Sequence, residues 1–339
     1  MKFKGLYTRL MAGAVLGMTA AAFSTGASAQ SGWQPSKPIE IVVAAGPGGG
    51  TDQLARLIQS IVTKYKFTTV PLVVLNKGGG NGAEGFLDIK LAKGDPHKII
   101  VGTNNAYLLP LVSKLGYSWT ELTPVAAVAQ DDFILWAQGD APYQTGKEYL
   151  DAAKADPAKY RMGGSQSKDV DQTLTLLINK VHGTKFVYIP FKSGSEAATQ
   201  LAGKHISSNV NNPSENLSQW KAGQAKPLCV FSKARMTFAA KVAGDKAWSD
   251  VPTCKEQGIA IDEYRFPRTV FMPGEVTQEQ INFYTNLLRR VTQTPEFGEY
   301  IERNALVGSF LDGFALTNYI TVDEQRASRI FQDAGWLVK

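Results

Sequence analysis

An α/β fold with mostly parallel sheets is predicted by three observations. Apolar, β-branched runs alternate with runs of helical period along the chain. Three successive strand-like runs end in glycine or small polar loops. Helix-like segments begin directly after the first two of those loops, as in open α/β sheets that bind ligands beyond the carboxyl ends of their strands.

The first strand is Ile39 to Val43, apolar and bounded by turn residues. It runs into Gly46-Pro47-Gly48-Gly49-Gly50. Leu54, Leu57, Ile58, Ile61 and Val62 then fall at i, i+3, i+4, i+7 and i+8, one face of a helix. Thr51 or Asp52 is expected to cap it. A glycine loop at a helix start is an anion site, because the first N–H groups lack partners and the macrodipole is positive there. Phosphate fails on spacing. The third position of G-x-G-x-x-G is Thr51 or Gln53, and no Gly-Lys-Ser or Gly-Lys-Thr occurs. A carboxylate held by bare amides remains, against the plainer reading of a glycine-rich connection without a ligand.

Leu72 to Leu75 is a second strand, ending at Asn76 and a loop to Gly82. A helix follows over 83–92. Lys98 to Gly102 is a third strand, ending at Thr103-Asn104-Asn105. Residues 124–130 and 133–137 read as extended, with Asp131-Asp132 marking a crossing between domains. A helix is expected over 147–155. Residues 160–169 again lead from a strand into a small-residue loop, before helical spacing at Leu174, Leu177, Ile178 and Val181. Two such helix starts, one per domain, would face each other across a cleft. Later strands are expected over 186–190, 206–210 and 227–231, after which the chain runs on to 264–272. Helices are expected over 195–201, 278–291, 296–303 and 316–332.

Lys2, Lys4 and Arg9, an apolar core from Leu10 to Phe23, and Ala27-Ser28-Ala29 read as a secretory leader cleaved after Ala29. Its removal takes away three positive charges and no acids, lowering the net charge from +6 to +3. No run of like charges suggests nucleic acid. Cys229 and Cys254 are either bridged or two buried thiols. His97, His182 and His205 are isolated, so neither a metal site nor a histidine-based catalytic set is expected.

An ordered set of landmarks spans the mature chain: Lys37-Pro38-Ile39, Gly46 to Asp52, Asn76 with its glycine loop, Gly102-Thr103-Asn104, Val187 to Lys192, Asp250-Val251-Pro252-Thr253 and Glu256-Gln257-Gly258. In these the chain resembles the periplasmic solute-binding proteins of tripartite tricarboxylate transporters, often called Bug-type receptors. The resemblance implies a two-domain, type II "Venus flytrap" with a mixed, mostly parallel sheet in each domain and a two-strand hinge. The expected division is 33–130 with 250–310, then 131–249, and a C-terminal helical segment over 311–339. It implies a periplasmic, monomeric receptor with no catalysis, cofactor or metal, which hands a small carboxylate to a membrane permease. The expected ligand-binding set is Gly49, Gly50, Thr51, Asp52, Asn76, Asn104, Ser165, Gln166, Ser167, Asn212 and Arg268.

The chain departs from the family in three places. Ser165 to Gln172 brings Asp169 and Asp171 where a histidine is usual, and these acids are expected to cap the helix outward. Asn211-Asn212 replaces a common aspartate. Arg268 stands where a small residue is usual, and is expected to hold a second carboxylate, with Trp136, Tyr143 or Phe266 as a flat apolar wall. The competing reading pairs Arg268 with Asp169 or Glu263. A ligand-sensing receptor for a signalling partner, or a secreted hydrolase using Ser165 or Ser167, are the alternative functions.

Overall fold

Two mixed sheets organise the computed structural model, which describes residues 32–338. The expected leader lies outside the described residues. The first part of the chain lays down β1 (Ile39–Val43), α1 (Gly50–Lys64), β2 (Leu72–Asn76), α2 (Ala83–Leu91), β3 (Lys98–Gly102), α3 (Asn105–Val112) and β4 (Leu122–Asp132). It continues with β5 (Ile134–Gln138), α4 (Gly146–Ala155), β6 (Arg161–Ser165), α5 (Val170–His182), β7 (Val187–Phe191), α6 (Gly194–Ala202), β8 (Ser208–Asn211), α7 (Leu217–Lys221) and β9 (Ala225–Val230). A small hairpin, β10 (Lys241–Ala243) and β11 (Lys246–Ala247), precedes β12 (Arg265–Pro273), α8 (Gln278–Thr292), α9 (Pro295–Asn304), β13 (Leu311–Asp312) and α10 (Gly313–Asp333).

The first sheet has the order β13-β4-β12-β3-β1-β2. β1 pairs in parallel with β2 and β3, while β12 is antiparallel to both β3 and β4. β4 therefore points the same way as β1, β2 and β3, and only β12 and β13 are reversed. The second sheet, β7-β6-β8-β5-β9, has a single reversed strand, β5. Mostly parallel strand directions thus coexist with antiparallel ladders at each reversed strand.

Side-chain alternation splits β1 between two cores. Ile39, Ile41 and Val43 join α1, α8 and α9 on one face, and Val42 joins α2, α3 and α10 on the other. The second sheet divides the same way. Leu135 packs with α4 and α5, while Ile134 and Trp136 pack with Leu201 and Trp248. Both faces of each sheet are covered, which is why its strands read as continuous apolar runs.

The chain passes from one sheet to the other at Phe133, between β4 and β5. It returns at Tyr264, whose N–H donates to Phe231 O at 3.0 Å, just before β12. The return comes later than position 250. Cys254, Ile259, Ile261 and Tyr264 belong to the core of the second sheet, and Cys254 is disulfide-bonded to Cys229 with Cα atoms 4.7 Å apart. α10 buries Leu316, Ile320, Ala327 and Phe331 against the first sheet's helices. Its Asp323 accepts from Tyr107 Oη at 2.8 Å.

Candidate ligand-binding site

A cavity of about 290 Å³ lies where the glycine loops of the first sheet meet the β6–α5 loop of the second. Its floor is Ala44, Ala45, Gly46 and Gly78. A Cβ on Gly78 would fall 2.6 Å from the Ala45 carbonyl carbon, so only glycine lets the two loops touch.

α1 opens into this cavity through Gly50 and Thr51. The helix is capped by Gly49, not by Thr51 or Asp52, and among the described residues no side chain makes a capping hydrogen bond there. The start of α1 is therefore available to an anion. Asp52 braces the loop from behind. Its carboxylate accepts from Gly48 N at 2.9 Å, Arg56 Nε at 3.0 Å and Asn76 Nδ2 at 2.9 Å. Burial works against its charge, but those hydrogen bonds outweigh it and hold the carboxyl below its ordinary value. Asn76 also donates to Ala45 O at 3.2 Å. Asp52 and Asn76 thus shape the loop, and neither they nor Gly49 line the cavity.

The opposite wall differs from expectation. Ser165 and Gln166 line it, but their N–H groups are engaged, Ser165 N with Asp171 Oδ2 at 2.5 Å and Gln166 N with Phe191 O at 2.8 Å. Ser167 lines a separate open depression with Lys192 and Glu196. The start of α5 is already occupied by Asp169, whose Oδ1 accepts from Val170 N at 2.8 Å. Of the two helix starts, that of α1 is therefore left open and that of α5 is filled.

Asp169 and Asp171 do not turn outward; both line the cavity, joined by Glu215, which the sequence reading had not singled out. They point inward because Ser165 N–H and Oγ–H hold Asp171, the latter at 2.9 Å, and Asn81 Nδ2 reaches Asp169 Oδ2 at 3.3 Å from the first wall. Burial raises the Asp169 carboxyl, raises Asp171 well above the carboxylate range with help from Glu215, and lifts Glu215 to about 7. The loop that aims these groups carries left-handed backbone at Gln166 (φ 39°) and Lys168 (φ 58°), a cost that non-glycine residues bear at binding sites.

Arg268 reaches the cavity but not as a free fork. Its Nε donates to Asp131 Oδ2 at 2.7 Å and its Nη2 to Asp131 Oδ1 at 2.8 Å. The second Nη2 N–H and both Nη1 N–H groups are left, and Nη1 donates to Thr51 Oγ1 at 3.4 Å. The partner is neither Asp169 nor Glu263. Burial opposes the guanidinium charge, and Asp131 more than offsets it, so Arg268 stays charged. Phe266 lies beneath it, 5.4 Å from ring centroid to guanidinium carbon, and supplies an aromatic wall. Trp136 is buried beside Trp220 and Trp248, and Tyr143 packs on Tyr149; neither lines the cavity.

Asn104 and Asn212 both line the cavity. Asn212 Nδ2 is spent on Asp132 O at 2.9 Å, at the crossing between sheets. Asn104 is 2% exposed, and its Oδ1 accepts from no group among the described residues. Of the expected set, Gly50, Thr51, Asn104, Ser165, Gln166, Asn212 and Arg268 meet in one cavity. Glu215 was missed because it follows a short Pro213 turn with no helical period to mark it.

A family profile described as the tripartite tricarboxylate transporter family receptor matches residues 54–336. The "UPF0065 protein in gbd 5'region" of Cupriavidus necator is 28% identical over 239 residues, covering 69% of this chain and 68% of its own. The crystal structure of a Polaromonas TctC solute-binding protein superposes with a TM-score of 0.73 at 25% identity, over 88% of this chain and 99% of that one. A Rhodopseudomonas palustris protein solved with adipate superposes with a TM-score of 0.76 at 20% identity, over 89% of this chain and 98% of that one. With a profile match over most of its length, this chain belongs to the tripartite tricarboxylate transporter family of receptors.

Proposed function

We propose that this protein is a non-catalytic periplasmic receptor that captures a small organic carboxylate and delivers it to a tripartite tricarboxylate transporter permease. The observation that carries the reading is the open start of α1. Gly50 and Thr51 face the cavity, and the Gly49 cap offers their N–H groups no side-chain acceptor. A carboxylate there is held by bare donors and the helix dipole. Family membership supports the permease as partner and the periplasm as location. Ser165 Oγ–H donates to Asp171, and among the described residues no histidine lines the cavity to serve as the base of a serine hydrolase.

The dicarboxylate expected from the sequence retains limited support, and the acidic wall of Asp169, Asp171 and Glu215 weighs against it. Arg268 Nη1 still reaches the cavity beside Thr51, and the R. palustris neighbour was solved with adipate.

Thermal-shift screening of the mature chain against organic acids tests the proposal. A ligand at one hundred times its dissociation constant stabilises by about 2.7 kcal/mol. Thr51→Pro, which deletes one donor of the helix start, should weaken the best ligand about tenfold or more by calorimetry. A panel with no stabilising acid, or unchanged affinity in a folded Thr51→Pro, overturns the reading.

A further inference from the structure

The cavity has two chemically opposed walls. The first carries the open start of α1. The second carries Asp169, Asp171 and Glu215, and among the described residues the only base lining the cavity is Arg268, whose Nε and Nη2 are held by Asp131. On the first-sheet side Asn104 lines the cavity, is 2% exposed, and has a buried carbonyl oxygen with no donor among the described residues. We propose that the ligand is a zwitterion, with a carboxylate at the start of α1 and a protonated nitrogen that donates to the acidic wall and to Asn104. This rests on the receptor reading above and sharpens its ligand class.

The physical argument concerns what each wall lacks. Desolvated carboxylates close to one another are costly unless a cation or a proton neutralises them. Among the described residues no cation hydrogen-bonds to these three; Arg268 favours the charged form of Glu215, but Asp131 already holds its Nε and Nη2. The groups facing them are Asn81, which donates to Asp169, the Ser165 N–H and Oγ–H, which donate to Asp171, and the Asn212 N–H, which donates to Glu215 at 3.2 Å. These donors orient the acids but add no charge. An N–H donor also satisfies Asn104 Oδ1, which a second carboxylate cannot do, having only acceptors. A dianion placed in this cavity would set its second carboxylate against the three acids. A nitrogen cation of matching reach turns the same wall into an attractive one. At about 290 Å³ the cavity sits at the lower limit for small-molecule sites, which favours a compact amino acid over a larger conjugate.

The test is calorimetry on the mature chain with matched probes of three to six carbons. Each set comprises an amino acid, the dicarboxylate of equal length, the unsubstituted monocarboxylate and the corresponding diamine. The expected result is an amino acid that binds at least about tenfold more tightly than its matched dicarboxylate and monocarboxylate. Glu215→Gln and Asp169→Asn should each reduce that preference, and the pair should abolish it. Dicarboxylates outranking amino acids on the wild type would overturn the zwitterion while leaving the receptor reading intact. A preference that persists unchanged in the folded double variant would also overturn it. Binding of diamines alone, or of no acid at all, would remove the carboxylate reading together with this one.

Discussion

Arg268 and Asp131 form a bidentate pair, Nε to Oδ2 at 2.7 Å and Nη2 to Oδ1 at 2.8 Å, with both side chains almost wholly buried. The pair bridges adjacent strands of the first sheet at the edge of the cavity. Removing one partner leaves the other charge buried and uncompensated. Arg268→Met should therefore destabilise the fold by about 3–5 kcal/mol. The double variant Arg268→Met, Asp131→Leu should recover much of that loss. Urea denaturation of the two variants and the wild type checks both statements. Equal stability of the single variant and the wild type would show that the pair contributes nothing.

Gly50 is the residue against which Arg268 rests. A Cβ there would lie 2.9 Å from both Nη1 and Nη2. Because Asp131 fixes the guanidinium, it cannot yield without losing its partner. Gly50→Ala should cost about 1–3 kcal/mol as an overpacked site and weaken ligand binding as well. Gly298, exposed in α9 with nothing within 4 Å of its added Cβ, is the control. Gly298→Ala should be mildly stabilising, by about 0.5–1 kcal/mol. Thermal denaturation of the two variants should move in opposite directions.

The Cys229–Cys254 bridge joins β9 to the segment that leads back to the first sheet, with a sequence separation of 25. Closing a loop of that length stabilises by roughly 3 kcal/mol in the chain-entropy model. Cys229→Ser with Cys254→Ser should lower the denaturation midpoint accordingly, and the denatured, unreduced wild type should show no free thiol. Two titratable thiols in the wild type would remove the bridge.

Much of the fold was legible because burial and local period agree. β3 was expected at Lys98–Gly102 and lies there, and α8 was expected at 278–291 and spans Gln278–Thr292. α3 was not foreseen. It is apolar around most of its surface, with Pro110 inside, so no helical stripe separates it from a strand or loop. The first wall of the cavity was legible in its glycines, since strand, loop and helix start are contiguous in sequence. The second wall was not. Whether Asp169 caps outward or faces inward depends on Asn81, distant in sequence, and the Asp131 that occupies Arg268 lies on another strand. Such pairings arise only when the sheets come together.

Glu215 offers a pH-dependent readout of the acidic wall. Burial lifts its carboxyl from 4.5 to about 7; the Asn212 N–H and Arg268 favour the charged form, and Asp131 opposes it. Its carboxyl is packed so closely on α6 that a Cβ on Gly194 would fall 2.3 Å from Oε2. Because the folded value exceeds the unfolded one, the folded chain retains a proton between pH 4.5 and 7 that the unfolded chain releases. Glu215 therefore destabilises the ligand-free fold increasingly as pH rises through that window, and the full penalty is present above about 7. Glu215→Gln keeps an acceptor for Asn212 N–H and removes the charge. At pH 8 it should be more stable than the wild type by roughly 1–3 kcal/mol, and at pH 4.5 the two should be nearly equal. The raised Asp169 and Asp171 carboxyls act in the same direction, so the variant should retain part of the wild-type slope rather than become flat. Chemical denaturation at half-unit steps from pH 4.5 to 8.5 measures the difference. A constant gap between the two proteins across that range would show that Glu215 does not titrate in the window. A variant less stable than the wild type at pH 8 would show that its charge is already compensated in the empty cavity.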